Sequence, residues 1–393
     1  MTGTRTTLVV ALLLVGSLAA VVAPVGGATA AMEPTSATAA TAQEDCSFPF
    51  SATDATGTEV TVEEAPDSVV TLGPAAAQTM VEIGAGSKVV GATQYASYLD
   101  GSDAWANISG SGRAFVSVER VVAQQPKLVL AENIVSDDTV ERLRDAGITV
   151  YKFRSASSMD AVLEKVEVTG QLVGACEGAS ETRDWMETEL EVVQRAAEGQ
   201  ESPQALYVFY GTTPGPDTYI NDLMTTAGAE NLAASADLEY SQAGYARINP
   251  EVVANMTVEW LLLNGGQPEP RIPESEAYQN TIAVQEDQTI VLNENYVSQP
   301  APRSVYVMRN LSQAWFPEAY AEANASIRGE ASTGTTATSG GPTATATDGS
   351  QTDADTNTPT ASTDGSDDGG SPGFGVVAAL VAALSLAGIA RRT

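Results

Sequence analysis

The sequence predicts an α/β protein built as two α/β lobes joined by one long interlobe helix, with a ligand cleft between the lobes. Three observations lead there. Short apolar, β-branched runs alternate with helical stretches in two separate regions, the pattern of parallel sheets. A stretch of good helix formers, residues 159–198, lies between those regions. A short motif also occurs once in each: Ser117-Val118-Glu119 before Arg120-Val121-Val122-Ala123, and Asn249-Pro250-Glu251 before Val252-Val253-Ala254-Asn255.

In the first region, Val69-Val70-Thr71-Leu72 reads as a strand broken by Gly73-Pro74, with a helix over 75–83 stopped by Gly84. Strands follow at 88–91 and 127–131, then a helix at 137–146 with Gly147 as its C-cap, then a strand at 149–153. The long helical stretch is expected to be nicked around Gly174 and Gly178. The second region opens with a strand at 205–210 and a helix at 220–227 stopped by Gly228. Strands at 258–263 and 289–292 follow, and a final helix is expected at 304–316. Sheets of this kind bind ligands at the strand ends, here in the cleft. In the repeated motif an N-cap residue opens a short helix with Glu in second place, and the next strand is expected seven residues after each Glu. Such a Glu also suits a helix N-terminus on electrostatic grounds alone.

Composition narrows the function. The chain has 50 Asp+Glu against 19 Lys+Arg, a net charge of -31, with 43% hydrophobic residues. That is a folded, strongly hydrated surface suited to high salt, as in a halophile, where screening reduces self-repulsion. It offers no basic patch for nucleic acid. Histidine is absent, which removes Ser-His-Asp and Cys-His catalysis and His-ligated metal sites. No enzyme is expected, no resident cofactor and no metal site. No phosphate-loop Gly-Lys-Ser/Thr occurs, and Gly84-Ala85-Gly86 follows a helix and precedes a strand, the reverse of a dinucleotide fingerprint.

The ends suggest export and attachment. Arg5, the apolar run 8–22 and Ala28-Thr29-Ala30 read as a signal peptide. Residues 374–390 are apolar and uncharged, ahead of Arg391-Arg392, and read as a membrane segment. The expected division is signal peptide 1–30, N-terminal lobe 46–155, helical linker 156–200, C-terminal lobe 201–329, Ser/Thr/Asp/Gly-rich stalk 330–371 and membrane segment 372–393. The two cysteines, Cys46 and Cys176, both fall in the exported part, where one disulfide is the natural reading and two free thiols the alternative. Sequons at Asn107, Asn255, Asn310 and Asn324 are N-glycosylation candidates.

Over about residues 58–320 the chain resembles the substrate-binding proteins of ABC importers for metal chelates: cobalamin, ferric siderophores and heme. The stretches that carry the likeness are Asp67-Ser68-Val69-Val70-Thr71-Leu72-Gly73-Pro74, Glu82-Ile83-Gly84-Ala85-Gly86 with Val89-Val90-Gly91, Tyr95-Ala96-Ser97-Tyr98, and Val118-Glu119-Arg120-Val121-Val122 with Pro126. In the second region they are Ala227-Gly228-Ala229-Glu230-Asn231, Asn249-Pro250-Glu251 and Pro300-Ala301-Pro302-Arg303. The resemblance implies small hinge motion, and docking of Glu119 and Glu251, one per lobe, against arginines of a permease dimer that works with its ATPase. It implies a cleft lined by Tyr95, Arg113, Tyr245 and Tyr296, where Arg113 and Tyr245 stand six residues before the docking glutamates in place of the tryptophans of cobalamin-binding members. The implied ligand is cobalamin or a related corrinoid, with a ferric siderophore or other iron chelate as the alternative, for which Arg113 speaks. A surface structural or adhesion protein is the non-transport alternative. Pro372-Gly373-Phe374, the apolar run and the terminal arginines resemble a haloarchaeal sorting signal. That likeness implies a sorting protease, a lipid in place of the helix, and a chain held at the outer face of the cell membrane.

Overall fold

The computed structural model describes residues 46–111, 115–266 and 271–334. The signal peptide, Arg113, most of the stalk and the segment with Pro372, Gly373 and Phe374 lie outside them. No described helix is long and apolar enough to cross a membrane.

The described chain opens with an antiparallel hairpin, β1 (Phe50–Thr53) and β2 (Glu59–Val62), which the sequence reading missed. The first lobe then runs β3 (Val69–Thr71), α1 (Pro74–Glu82), β4 (Val89–Ala92), β5 (Ala106–Asn107), α2 (Val118–Ala123), β6 (Leu128–Ala131), α3 (Asp137–Asp145) and β7 (Val150–Lys152). Its five strands form a parallel sheet in the order β5-β4-β3-β6-β7. Helices α4 (Met159–Val173) and α5 (Cys176–Ala197) carry the chain to the second lobe. That lobe contains β8 (Gln204–Val208), β9 (Thr212–Pro214), α6 (Tyr219–Thr226), β10 (Glu230–Asn231), β11 (Tyr245–Arg247), α7 (Pro250–Val253), β12 (Trp260–Asn264), α8 (Glu276–Gln279), α9 (Ile282–Gln285) and β13 (Thr289–Leu292). Its sheet is parallel in the order β10-β8-β12-β13, and β9 pairs with β11 in a separate antiparallel ribbon. Helices α10 (Glu294–Val297), α11 (Val305–Trp315) and α12 (Pro317–Gly334) finish the described chain.

The predicted fold class is the one observed, and its strands show why it was readable. β3 and β6 are buried along their whole length and β12 over Leu261–Asn264, so they read as apolar runs rather than alternations. Helices open where the sequence supplies caps: Ser117, Ser136, Ser158, Thr218 and Asn249 each accept a backbone N–H of the helix they precede. Both copies of the repeated motif form capped short helices. The strand after each begins nine residues past the Glu, at Leu128 and at Trp260, two later than expected but equal in both lobes.

The largest cluster of buried apolar side chains runs from Val60 to Ile327 and takes in α1, α4, α5, α6 and α11, so the two lobes share one core. Val70, Val129 and Leu143 belong to a second cluster within the first lobe, and Leu206, Leu261 and Ile248 to a third within the second lobe.

Two expectations need correction, and two others hold. Gly174 does break the long helix: it takes φ 69° between α4 and α5, and a Cβ there would meet Ala65 at 2.7 Å. Gly178 does not break it. It lies inside α5, where its bare Cα lets the carbonyl of Ile83 come within 2.2 Å of the position a Cβ would take. The final helix is shorter than expected, and a further one follows. Its start at Pro317 hid the continuation, because Pro at a first helical position reads as a stop when preceded by a helix. Cys46 and Cys176 form a disulfide, with Cα atoms 5.5 Å apart, which ties the start of the described chain to the start of α5.

Replacing Gly178 by Ala should push α1 and α5 apart and cost about 1–3 kcal/mol in a denaturant titration. Asp54, at the end of β1, supplies a pH test. Its buried carboxylate accepts bonds from Thr56, from the Lys152 N–H and from Arg144 at 2.6 Å. Burial pulls its pKa up, but the hydrogen bonds outweigh that and hold it below the ordinary carboxylate value. The stability it contributes is present above the unfolded pKa and is lost as pH falls through the depressed folded value. Asp54→Asn should therefore destabilise the chain at neutral pH, and its gap from wild type should narrow on acidification, as followed by thermal melts.

Candidate functional site

In both sheets the C-terminal strand ends lead into the surfaces where the lobes meet. The contacts across that seam come from the helices and loops that follow those strands. Gln78, on α1 after β3, is fully buried. Its amide donates to the Tyr98 oxygen at 2.8 Å and to the Asn295 carbonyl at 3.2 Å, and its oxygen accepts the Arg303 N–H at 2.9 Å. One turn on, Glu82 takes the Arg303 guanidinium at 2.7 Å. Glu132, just past β6, pairs through both oxygens with Lys165 of α4 at 2.7 and 2.8 Å, and the same ammonium reaches the Pro300 carbonyl at 3.4 Å. The Met159 N–H, at the start of α4, donates to Asp222 of α6 at 2.8 Å.

Aromatic side chains surround these contacts. Tyr95, after β4, is half-buried and stacked on Phe115, with centroids 5.5 Å apart and planes 6° from parallel. Tyr245, at the start of β11, is half-buried against the core shared by both lobes, and burial pushes its hydroxyl up to about 12. Tyr296, on α10, lies 5.7 Å from Tyr306 and near Tyr98, whose hydroxyl burial raises to about 12. Each of the three rings offers an apolar face and one hydroxyl that can donate or accept a hydrogen bond. No ring contact or hydrogen bond joins Tyr95, Tyr245 and Tyr296 to one another among the described residues. The fourth expected member, Arg113, lies outside the described residues.

Sequence reasoning missed several neighbours. Phe115 supports Tyr95, Tyr98 and Arg303 lie near Tyr296, and Gln78 bonds the carbonyl of Asn295 beside it. Tyr210, past the end of β8, is 46% exposed, has φ 50° and lies edge-on to Phe209 at 4.7 Å. A large exposed ring held in the left-handed region at a strand end is uncommon for a residue other than Gly, Asn or Asp. The signal was available: an aromatic just before Gly211, past the apolar run of the strand.

The paired glutamates occupy matching places on the two lobes. Both are exposed, at the second position of a short capped helix. Glu119 accepts from the Ser117 hydroxyl at 3.0 Å and faces Arg142 at 3.4 Å. Its own backbone N–H, then Ser117, then Arg142 hold its carboxyl below the usual range. Of the sequons, Asn107, Asn255 and Asn310 are exposed and Asn324 is half-buried. An open hollow between α5 and α6 is lined by Glu191, Arg195 and Thr225 among others, toward the C-terminal end of α6.

The sequence pattern of a family described as periplasmic binding protein matches residues 69–296. A protein named cobalamin-binding protein from Halobacterium salinarum is 34% identical over 314 residues, covering 78% of this chain and 84% of that one. Two solved structures show the same fold. Nickel-bound CeuE of Helicobacter pylori, 18% identical, covers 70% of this chain and 91% of its own at a TM-score of 0.60. A periplasmic heme-binding protein from Roseiflexus sp. RS-1, 21% identical, covers 64% and 99% at 0.56.

The seam itself can be tested. Glu82→Gln and Arg303→Met should each cost about 1–2 kcal/mol, because each leaves a partly buried polar group without its charged partner. The double variant should lose less than the sum, a coupling that a double-mutant cycle of denaturation curves would measure.

Proposed function

This chain belongs to the periplasmic binding protein family, and from that premise we propose that it is the surface-held solute receptor of an ABC importer, capturing cobalamin or a related corrinoid and passing it to the permease. The observation that carries the reading is the 34% identity, over most of both chains, with a protein named for cobalamin binding. The tyrosine-rich seam supports it. Flat or half-buried rings at Tyr95, Tyr210, Tyr245 and Tyr296 suit a large, partly polar macrocycle, which they would hold by ring-face contact and phenolic hydrogen bonds. The protein's part is binding and presentation, not catalysis.

On this reading, Glu119 and Glu251 present one carboxylate from each lobe to cationic groups of a two-fold permease. Charge pairs of that kind set register and orientation more than raw affinity. The disulfide fits an oxidising exterior. The terminal segment with Pro372, Gly373 and Phe374 is the proposed sorting signal, acted on by a sorting protease, and the stalk the tether. Asn107, Asn255, Asn310 and Asn324 are the proposed glycan carriers.

Titration calorimetry in molar salt tests the ligand. One cobalamin site is expected, with Tyr95→Ala and Tyr245→Ala each weakening it by about five- to tenfold, a loss of ~1 kcal/mol or slightly more per aromatic contact. Binding of a ferric chelate with silence toward corrinoids would replace the ligand and leave the receptor role. In the same preparation Glu119→Gln and Glu251→Gln should leave ligand affinity unchanged and lower uptake into permease-containing vesicles.

A further inference from the structure

The sequons at Asn107, Asn255, Asn310 and Asn324 are not equivalent on the folded chain. A sequon serves as an acceptor where the Asn carboxamide and the hydroxyl two residues on can be reached together from solvent. A helix prevents that, because side chains two apart do not face the same way. Asn310, in α11, shows it: the Asn is exposed, while the Ser312 that completes its sequon is fully buried. Asn324 sits inside α12, with its oxygen held by the Arg328 Nε–H at 2.6 Å. Asn107 ends β5, and its oxygen accepts the Ser109 N–H at 2.9 Å. The Ser109 hydroxyl, however, is buried and accepts the Gln94 N–H at 2.8 Å.

Asn255-Met256-Thr257 differs. It lies between the end of α7 and the start of β12, outside any helix or strand, and Asn255 and Thr257 are both exposed. Asn255 also stands four residues after Glu251, which places the two on one side of α7. Its Nδ2, the atom that takes a sugar, donates to the Glu251 carbonyl at 2.8 Å. Glu251 is thus within one helical turn, about 5.4 Å, of the point of attachment. A glycan is bulky and hydrated, and one attached there fills the solvent beside Glu251.

We propose that Asn255 is the glycan site open on the folded chain, and that a sugar there and a permease at Glu251 exclude one another. This rests on the docking reading of Glu251 above. The other three sequons carry sugar only if it is added before the chain folds. The donor is a lipid-linked phosphate or diphosphate sugar. A bond forms from the Asn255 Nδ2 to the anomeric carbon, and the bond from that carbon to the phosphate oxygen breaks. The phosphate leaves with the electron pair, and the displaced amide proton passes to solvent.

The full chain, made in a host without N-glycosylation, tests both halves. It is first incubated, folded, with membranes from cells that make this protein but have been deleted for it, which supply transferase and lipid-linked sugar. Peptide mass spectrometry should find sugar on Asn255 and not on Asn107, Asn310 or Asn324, and Thr257→Ala should abolish it. No sugar on Asn255, or equal sugar on the others, overturns the site. Bare and glycosylated chains are then bound to vesicles of the same membranes, which carry the permease, with thermal melts to show that both forms are folded. The glycosylated chain should bind about fivefold more weakly, as for the loss of one interfacial charge pair, and Glu251→Gln without sugar should lose a similar factor. Thr257→Ala, taken through the same incubation, should bind like the bare chain. Equal binding by the two forms, with Glu251→Gln weakened, overturns the exclusion and leaves docking standing. If Glu251→Gln binds like wild type, docking through Glu251 fails and the exclusion fails with it.

Discussion

The Lys165 ammonium is the point on which both lobes converge. It is 5% exposed, holds both oxygens of Glu132 at the end of one sheet, touches the Pro300 carbonyl that follows the other, and lies over the Phe153 ring at 5.0 Å. Burying two charges is costly, and such a pair adds little net stability compared with well-packed apolar groups. Its weight lies in the asymmetry: once the pair is built, moving either lobe away strands a charge in the interior. Gly73 belongs to the same constraint, because a Cβ there would fall 2.4 Å from the Glu132 side chain. The turn that ends β3 and starts α1 leaves room at Gly73 for the Glu132 side-chain stem that packs over it.

Around that point the interface repeats the same design with less burial. Gln78 satisfies groups from both lobes with one amide, and Glu82 and Arg303 close the outer edge at about one-fifth exposure each. The shared apolar core behind them makes the lobes one body rather than two linked by a flexible joint. On the proposed receptor reading, a cleft already shaped loses less ordering free energy when a ligand arrives. High salt reinforces the point. Screening weakens pairs exposed on the surface, such as Arg142–Glu119, and hardly touches those out of reach of solvent.

Both lobes follow one plan. Strand, helix and strand are followed by a capped short helix and then the third and fourth strands, giving the orders β4-β3-β6-β7 and β10-β8-β12-β13. Glu119 and Glu251 inherit their equivalence from that repetition. Each stands nine residues before its third strand, exposed, on a helix whose start is held by a polar side chain. The match in the third dimension is what separates this pair from the many other carboxylates of an acidic surface.

Local chemistry wrote much of this into the sequence. Buried parallel strands need unbroken apolar runs, helices need caps and stops, and both are short-range requirements, so the element order, the two lobes and the glutamate motif were legible. The hairpin β1–β2 and the ribbon β9–β11 were not, because antiparallel pairs of three or four residues carry too short a pattern to stand out. Gly178 was misread because a glycine that allows close approach of another helix looks, in one dimension, like a glycine that ends one. Tyr95, Tyr245 and Tyr296 could be singled out by resemblance, but Gln78, Tyr98, Arg303 and Tyr210 acquire their roles only from what faces them. The sequence by itself determined the elements, the acidic character and the paired glutamates. Tertiary structure alone decided which polar groups meet across the seam, because those contacts join residues as far apart as Gln78 and Arg303, where no local pattern records the partner.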